Sequence, residues 1–148
     1  MSESRYTFSQ VMSQLIELES MMAEFYRSSA EKIESTGPKS LFLEYEAASR
    51  RRIDSLDKVR RGTIIEMALE TIAGLELDEV KLRIGRTIES KGEGDRDKAA
   101  VLEGIMQSVY GKTSERLQYV SAEAGELLRR FQLESLRRRE RLAAGTEP

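Results

Sequence analysis

The stretch from Glu17 to Arg61 limits most strongly what this chain can fold into. Its apolar residues recur at steps of three and four, the spacing of one buried face of an α-helix. The pattern breaks at Gly37-Pro38 and resumes beyond it. Glycine is well placed to end a helix, and proline can open the next one. The stretch therefore predicts two amphipathic helices folded back on each other.

A fainter copy of this pattern runs from Glu103 to Leu142. Residues 62–94 separate the two copies, and they include the polar, glycine-containing segment 91–97. A connector of that length can cross from one end of a helical domain to the other. Such a crossover would make the second and third long helices parallel. The predicted single domain, residues 1–148, consists of a first helical hairpin (9–60), a crossover connector (62–94), a second hairpin (97–143) and a tail (144–148).

Composition excludes several kinds of chemistry. The 148 residues contain no cysteine and no histidine, so thiolate metal sites, disulfides and histidine-based catalysis are excluded. The formal net charge of −2 gives no general attraction to nucleic acid or to an anionic membrane. There is no secretory signal pattern and no apolar run near the ~20 residues of a membrane span. The sequence therefore predicts a soluble, cytoplasmic protein.

Several positions in the two halves of the chain correspond to each other. Glu19 precedes Tyr26 by seven residues, and Glu103 precedes Tyr110 by seven. The run Ser-Arg-Arg-Arg at 49–52 is echoed by Ser-Leu-Arg-Arg at 135–138. This correspondence predicts an internal two-fold repeat.

The motifs ELE, EFY, AEK and FLEY, between Glu17 and Leu56, resemble the ferritin-like bundles of the rubrerythrin type. The resemblance is looser over the second half and does not cover the connector. It implies an all-α, ferritin-like four-helix bundle made of two hairpins with a long helical crossover connector. It also implies a di-iron site, in which two helices each supply one inward glutamate and the other two each supply a Glu-x-x-His motif.

Carried over to this chain, that ligand pattern is incomplete. The single-glutamate positions fall on Glu19 and Glu103. The Glu-x-x-His positions fall on Ser49 with Arg52 in the second helix and on Ser135 with Arg138 in the fourth. Because serine and arginine replace the glutamate and histidine, the usual di-iron site cannot be assembled here.

Three interpretations of these residues are open at this point. In the first, Glu19–Arg52 and Glu103–Arg138 ion pairs, or their cross-pairs, replace the metal centre, because arginine can satisfy a buried carboxylate bidentately. In the second, the arginines extend to solvent and both glutamates are ordinary surface acids.

The third interpretation keeps a metal. A carboxylate-only site would use Glu19 and Glu103 with Glu46 or Glu134, and it would bind iron or another divalent metal through oxygen ligands. The preferred interpretation expects no metal and no cofactor.

The sequence thus predicts a non-enzymatic bundle that has lost its di-iron site and acts as a structural or protein-interaction module. We expect it to form homo-oligomers, with a dimer as the simplest case, and to bind a protein partner of unknown identity. A rubrerythrin-like metal-binding oxidoreductase or iron-handling protein is the alternative. A second alternative is an adaptor whose arginine clusters bind acidic protein or nucleic acid. Neighbouring glutamates at helical spacing favour a solvated helix face over that adaptor.

Overall fold

The computed structural model describes residues 5–144, and six helices account for 81% of them, which confirms the all-α class. The predictions for residues 1–4 and for the tail beyond Ala144 lie outside the described residues. The elements are β1 (Arg5–Thr7), α1 (Phe8–Lys32), α2 (Thr36–Arg61), α3 (Ile65–Ala68), β2 (Thr71–Ala73), α4 (Leu77–Glu89), α5 (Asp95–Leu117) and α6 (Ala122–Ala143).

Helices α1 and α2 form one hairpin, and α5 and α6 form another. Tyr26 contacts Glu103, whereas the earlier Glu19 contacts the later Tyr110, so α1 and α5 run antiparallel. Since α2 also runs against α1, α2 and α5 point in the same direction, as the length of the connector predicts. The buried faces of all four helices meet in one apolar core.

The turn between α1 and α2 differs from the prediction. Helix α1 ends at Lys32, and α2 begins at Thr36, so Gly37 and Pro38 both lie in the first turn of α2. Gly37 therefore does not end α1. Pro38 fits this first turn because the backbone N–H that it lacks has no partner inside the helix there.

The start of α1 is fixed by a capping box. The Gln10 backbone N–H donates to the Thr7 hydroxyl, and the Thr7 N–H donates to the Gln10 side chain. Thr7 also ends β1, which pairs antiparallel with β2. The short ribbon ties the beginning of α1 to the connector.

The ribbon corrects the prediction for the connector. The sequence predicts a short helix capped by Thr63 and ended by Gly74, but α3 stops at Ala68 and Thr71–Ala73 is a strand. Thr63 caps no helix, because its hydroxyl donates to the Val59 carbonyl. Residue Ile72 is buried, so the strand rather than a longer helix brings this apolar side chain into the core.

None of the helices within residues 5–144 combines the length and the apolar character that a membrane span requires.

Two helical glycines predict stability changes of opposite sign. Gly85→Ala is expected to raise the free energy of unfolding by about 1 kcal/mol, because an added methyl group meets no atom within 4 Å. Gly125→Ala is expected to lower it by about 1–3 kcal/mol, because its Cβ would lie 2.8 Å from Gln118 Cβ and 2.9 Å from Gln118 Cα. Urea denaturation of both variants measures the difference, and equal shifts of the same sign would contradict the packing described here.

Candidate functional site: a buried ion-pair network

Each of the four long helices places one acidic or basic side chain in the core. The exposed fractions are 0% for Glu19 in α1, 3% for Arg52 in α2, 0% for Glu103 in α5 and 8% for Arg138 in α6. All four lie on the apolar stripe of their helix, which is why they face inward. Two positive and two negative charges leave the cluster formally neutral.

The arginines pair with the glutamates of their own hairpins. Arg52 Nη1 lies 2.9 Å from Glu19 Oε1, and Arg138 Nη1 lies 3.2 Å from Glu103 Oε2. These are the direct pairs rather than the cross-pairs. The interpretation with solvent-directed arginines and surface glutamates is wrong, because all four side chains are buried.

Two tyrosines connect the hairpins. The Tyr110 hydroxyl donates to Glu19 Oε1 at 2.6 Å, and the Tyr26 hydroxyl donates to Glu103 Oε2 at 2.5 Å. Both rings are fully buried. Burial raises the pKa of each tyrosine well above its usual value, and the neighbouring carboxylate raises it further. Each glutamate therefore receives a guanidinium from its own hairpin and a hydroxyl from the other.

The aromatic neighbours of the arginines follow the same two-fold pattern. The Arg52 guanidinium carbon lies 5.0 Å from the centre of the Phe131 ring, and that of Arg138 lies 5.1 Å from the Tyr45 ring. Each ring comes from the opposite hairpin and faces a cation at a distance where attraction is favourable. Equivalent residues of the two halves thus occupy equivalent places.

The two arginines differ in their further contacts. Arg52 also donates to Ser135 Oγ at 3.1 Å, to the Phe131 carbonyl at 3.3 Å and to Glu134 Oε1 at 3.1 Å. The position equivalent to Glu134 in the first hairpin holds Ala48, which has no carboxylate to offer Arg138. Arg52 is therefore held by more contacts than Arg138.

The charge of Arg52 is stabilised in spite of its burial. Burial disfavours the charged guanidinium, but Glu19 and the other acidic groups around it outweigh that effect and raise the pKa of Arg52 above its usual value. The surrounding acids therefore favour the charged form of Arg52.

Each glutamate uses one oxygen for both of its bonds. Glu19 Oε2 and Glu103 Oε1 have no hydrogen-bond partner among the described residues, and the same is true of Ser49 Oγ. Ser135, the equivalent of Ser49, accepts a bond from Arg52. Ser49 and Ser135 thus differ in their contacts.

The carboxylates proposed for an oxygen-only metal site do not converge. Glu46 pairs with Arg50 at 3.0 Å, and Glu134 pairs with Arg52. Within residues 5–144, no group of three or more acidic, histidine or cysteine side chains is placed to hold a metal ion. The acids nearest the core are engaged by arginines.

The sequence indicates only some of the contacts that the tyrosines make. The sequence predicts that Tyr26, Tyr45, Tyr110 and Tyr119 are core residues whose hydroxyls reach polar partners, and the seven-residue Glu-Tyr spacing in both halves marks two of them. For Tyr119 this prediction is wrong, because 85% of its surface is exposed. The rings of Phe131 and Tyr45 carried no sequence signal as arginine contacts.

Comparisons with known proteins identify no matching family model, no matching curated protein and no matching solved structure. The resemblance to the rubrerythrin type therefore stays a prediction.

Proposed function

We propose that this protein is a non-catalytic, ferritin-like four-helix bundle of the rubrerythrin type that serves as a structural or protein-interaction module. In this proposal an ion-pair network replaces the di-iron centre. The observation that carries it is the engagement of Glu19 and Glu103, the two glutamates at former ligand positions, by an arginine and a tyrosine each.

Electrostatics supports a centre without metal. A guanidinium cannot lose its proton in a protein, so Arg52 and Arg138 are fixed positive charges that repel a divalent cation. Removing them from their partners would leave buried carboxylates and guanidinium groups unpaired, at a cost of several kcal/mol. A metal would therefore have to compete with partners that are already in place.

The directions of the helices support the ferritin-like assignment. Two antiparallel hairpins joined by one long crossover, with α2 and α5 pointing the same way, are typical of that fold. A fold does not determine an activity, so the argument for a non-catalytic role rests on the centre and not on the architecture. A cytoplasmic location and self-association as a dimer stay predictions from the sequence.

The test is a metal titration of protein purified without a histidine tag. Bound metals would be quantified, Fe(II) would be added without oxygen, and air would then be admitted. We expect no stoichiometric iron and no change in the melting temperature, because a ligand that binds the folded state would raise it. One or two ions per chain, with the absorption of an oxidised iron centre after air, would overturn the proposal.

The variant Glu19→Gln/Glu103→Gln is the control for the place of binding. Iron bound at the centre would be lost in this variant, whereas weak binding to surface carboxylates would remain. The variant leaves two arginines buried without a partner, so its fold is checked by circular dichroism at the temperature of the titration. Iron that binds the parent protein and not the folded variant would establish the metal-binding alternative.

A further inference from the structure

A groove of about 490 Å³ opens between α2 and α6, beside the buried network. Two glutamates, Glu44 and Glu134, line it together with six arginines, which give it a formal charge of +4 against −2 for the whole chain. The arginines are Arg51, Arg52, Arg130, Arg137, Arg138 and Arg141. Glu19 and Glu103 pair with Arg52 and Arg138 from the core, and counting them lowers the charge at the groove to +2. The rest of the chain then carries −4, so positive charge is still concentrated in this groove.

The register of the two helices decides which arginines are neutralised. Arg52 pairs with Glu134 at 3.1 Å and Arg141 faces Glu44 at 3.9 Å, so α2 and α6 run antiparallel. The same register places Arg137 opposite Ala48 and Arg130 opposite Ser55. At these two positions α2 offers a small side chain where an acid would complete a pair.

The structure therefore differs from the expected balanced helix face. Arg50 pairs with Glu46, and Arg60 pairs with Asp57, as helical spacing predicts. Within residues 5–144, Arg51, Arg130 and Arg137 form no ion pair and no hydrogen bond. All three are exposed. The groove thus holds three uncompensated cations on its two walls.

The dimensions of the groove favour an elongated ligand. From Glu44 to Ser55 it follows eleven residues of α2, or about 16 Å, and Arg130 and Arg137 lie about 10 Å apart along α6. An elongated ligand can contact both arginines with their side chains extended along the groove. An extended peptide of about five residues covers the full length. The rings of Tyr45 and Phe131 add apolar surface to the lining.

We propose that this groove binds an acidic segment of a partner protein. Carboxylates of that segment would pair with Arg130 and Arg137 as Glu134 pairs with Arg52 inside the groove. Arginine suits this task because its fork of donors matches a carboxylate. The inference rests on the proposed function, since it names the partner class of the interaction module.

The experiment measures fluorescence anisotropy of a labelled decapeptide of five Glu-Ser repeats, with five Gln-Ser repeats as the neutral probe. We expect the acidic peptide to bind at low salt and to weaken as salt screens the charges. Arg130→Gln/Arg137→Gln is expected to weaken binding roughly tenfold, the combined effect of two exposed pairs. Thermal melts would show that the variant remains folded.

The matched control is Lys58→Gln/Arg129→Gln, which removes two positive charges from the same helices outside the groove lining. It should leave binding within about twofold of the parent, because only screened long-range attraction is lost. Equal losses in both variants, equal binding of the neutral peptide, or no binding at low salt would overturn the proposal. Displacement by single-stranded DNA at an equal concentration of charges would assign the groove to nucleic acid instead.

This test is independent of the metal titration. Neither Arg130 nor Arg137 contacts the buried network, so a failure of peptide binding leaves the evidence on the centre unchanged. Conversely, iron binding at the centre would overturn the proposed function while the peptide measurement still reported on the groove.

Discussion

Replacing Arg52 with methionine is expected to lower the free energy of unfolding by about 3–5 kcal/mol. The change leaves Glu19 buried with only the Tyr110 hydroxyl as a partner, and it removes the contacts of Arg52 with Ser135 and Glu134. An unpaired carboxylate in an apolar interior is among the costliest defects that one substitution can make. Guanidinium chloride denaturation measures the loss.

Two further variants separate the effect of leaving a buried charge unpaired from the effect of losing an arginine side chain. Arg51→Met removes the neighbouring exposed arginine, and it should change stability by no more than about 0.5 kcal/mol. Glu19→Gln/Arg52→Met removes both charges, and it should recover most of the loss seen for Arg52→Met alone. A double variant as unstable as the single one would show that Arg52 acts through packing and not through its pairing with Glu19.

The second large effect is a loss of stability at alkaline pH. Tyr26 and Tyr110 have raised pKa values in the folded protein, whereas the unfolded chain titrates near the usual value of about 10. Above that pH the unfolded chain releases protons that the folded protein retains, so stability is full below about pH 10 and falls as the pH rises. Each tyrosine contributes a slope of about 1.4 kcal/mol per pH unit.

Denaturation between pH 8 and pH 11 measures this slope, and Tyr26→Phe/Tyr110→Phe is the control. The variant lacks both hydroxyls and should be less stable at pH 8, but its stability should fall less steeply above pH 10. Ultraviolet absorbance of tyrosinate would show when the rings ionise. Identical slopes in parent and variant would mean that other groups cause the alkaline loss.

The long helices and the inward positions of the charged residues could be predicted because both follow from periodicity within one helix. Glu19 and Arg52 each interrupt an otherwise apolar stripe, and helix geometry alone turns such a residue inward. The ligand positions implied by the rubrerythrin resemblance pointed to ion pairs between these glutamates and arginines, but they left the direct pairs and the cross-pairs equally open. The structure brings those residues together at bonding distance.

Contacts between the hairpins were harder to predict, because they depend on how two separately formed units dock. Nothing within one helix indicates that Tyr110 donates to Glu19 or that Phe131 lies against Arg52. The ribbon shows the same limit, since Thr71–Ala73 becomes a strand only by pairing with Arg5–Thr7, which lies more than sixty residues earlier. Local preference favoured a helix there, and the distant partner decided otherwise.

The arginine groove shows that the number of acidic and basic residues in a helix does not indicate which of them are paired. Arg130 and Arg137 have glutamates near them in the sequence, which made a neutral surface the simpler expectation. Which charges meet depends on the antiparallel register of α2 and α6, and that register leaves Ala48 and Ser55 facing them. The sequence of α6 alone does not show that the residues of α2 opposite its arginines lack acidic side chains.

The exchange of tyrosines between hairpins has a consequence for the order of folding. Most packing is local to each hairpin, so each can form early, as chains with short sequence separation between contacts usually do. A hairpin alone completes its own ion pair but lacks the hydroxyl that comes from the other half. The reciprocal tyrosine bonds form only when the two hairpins dock, so they favour the alignment that brings Tyr110 to Glu19 and Tyr26 to Glu103.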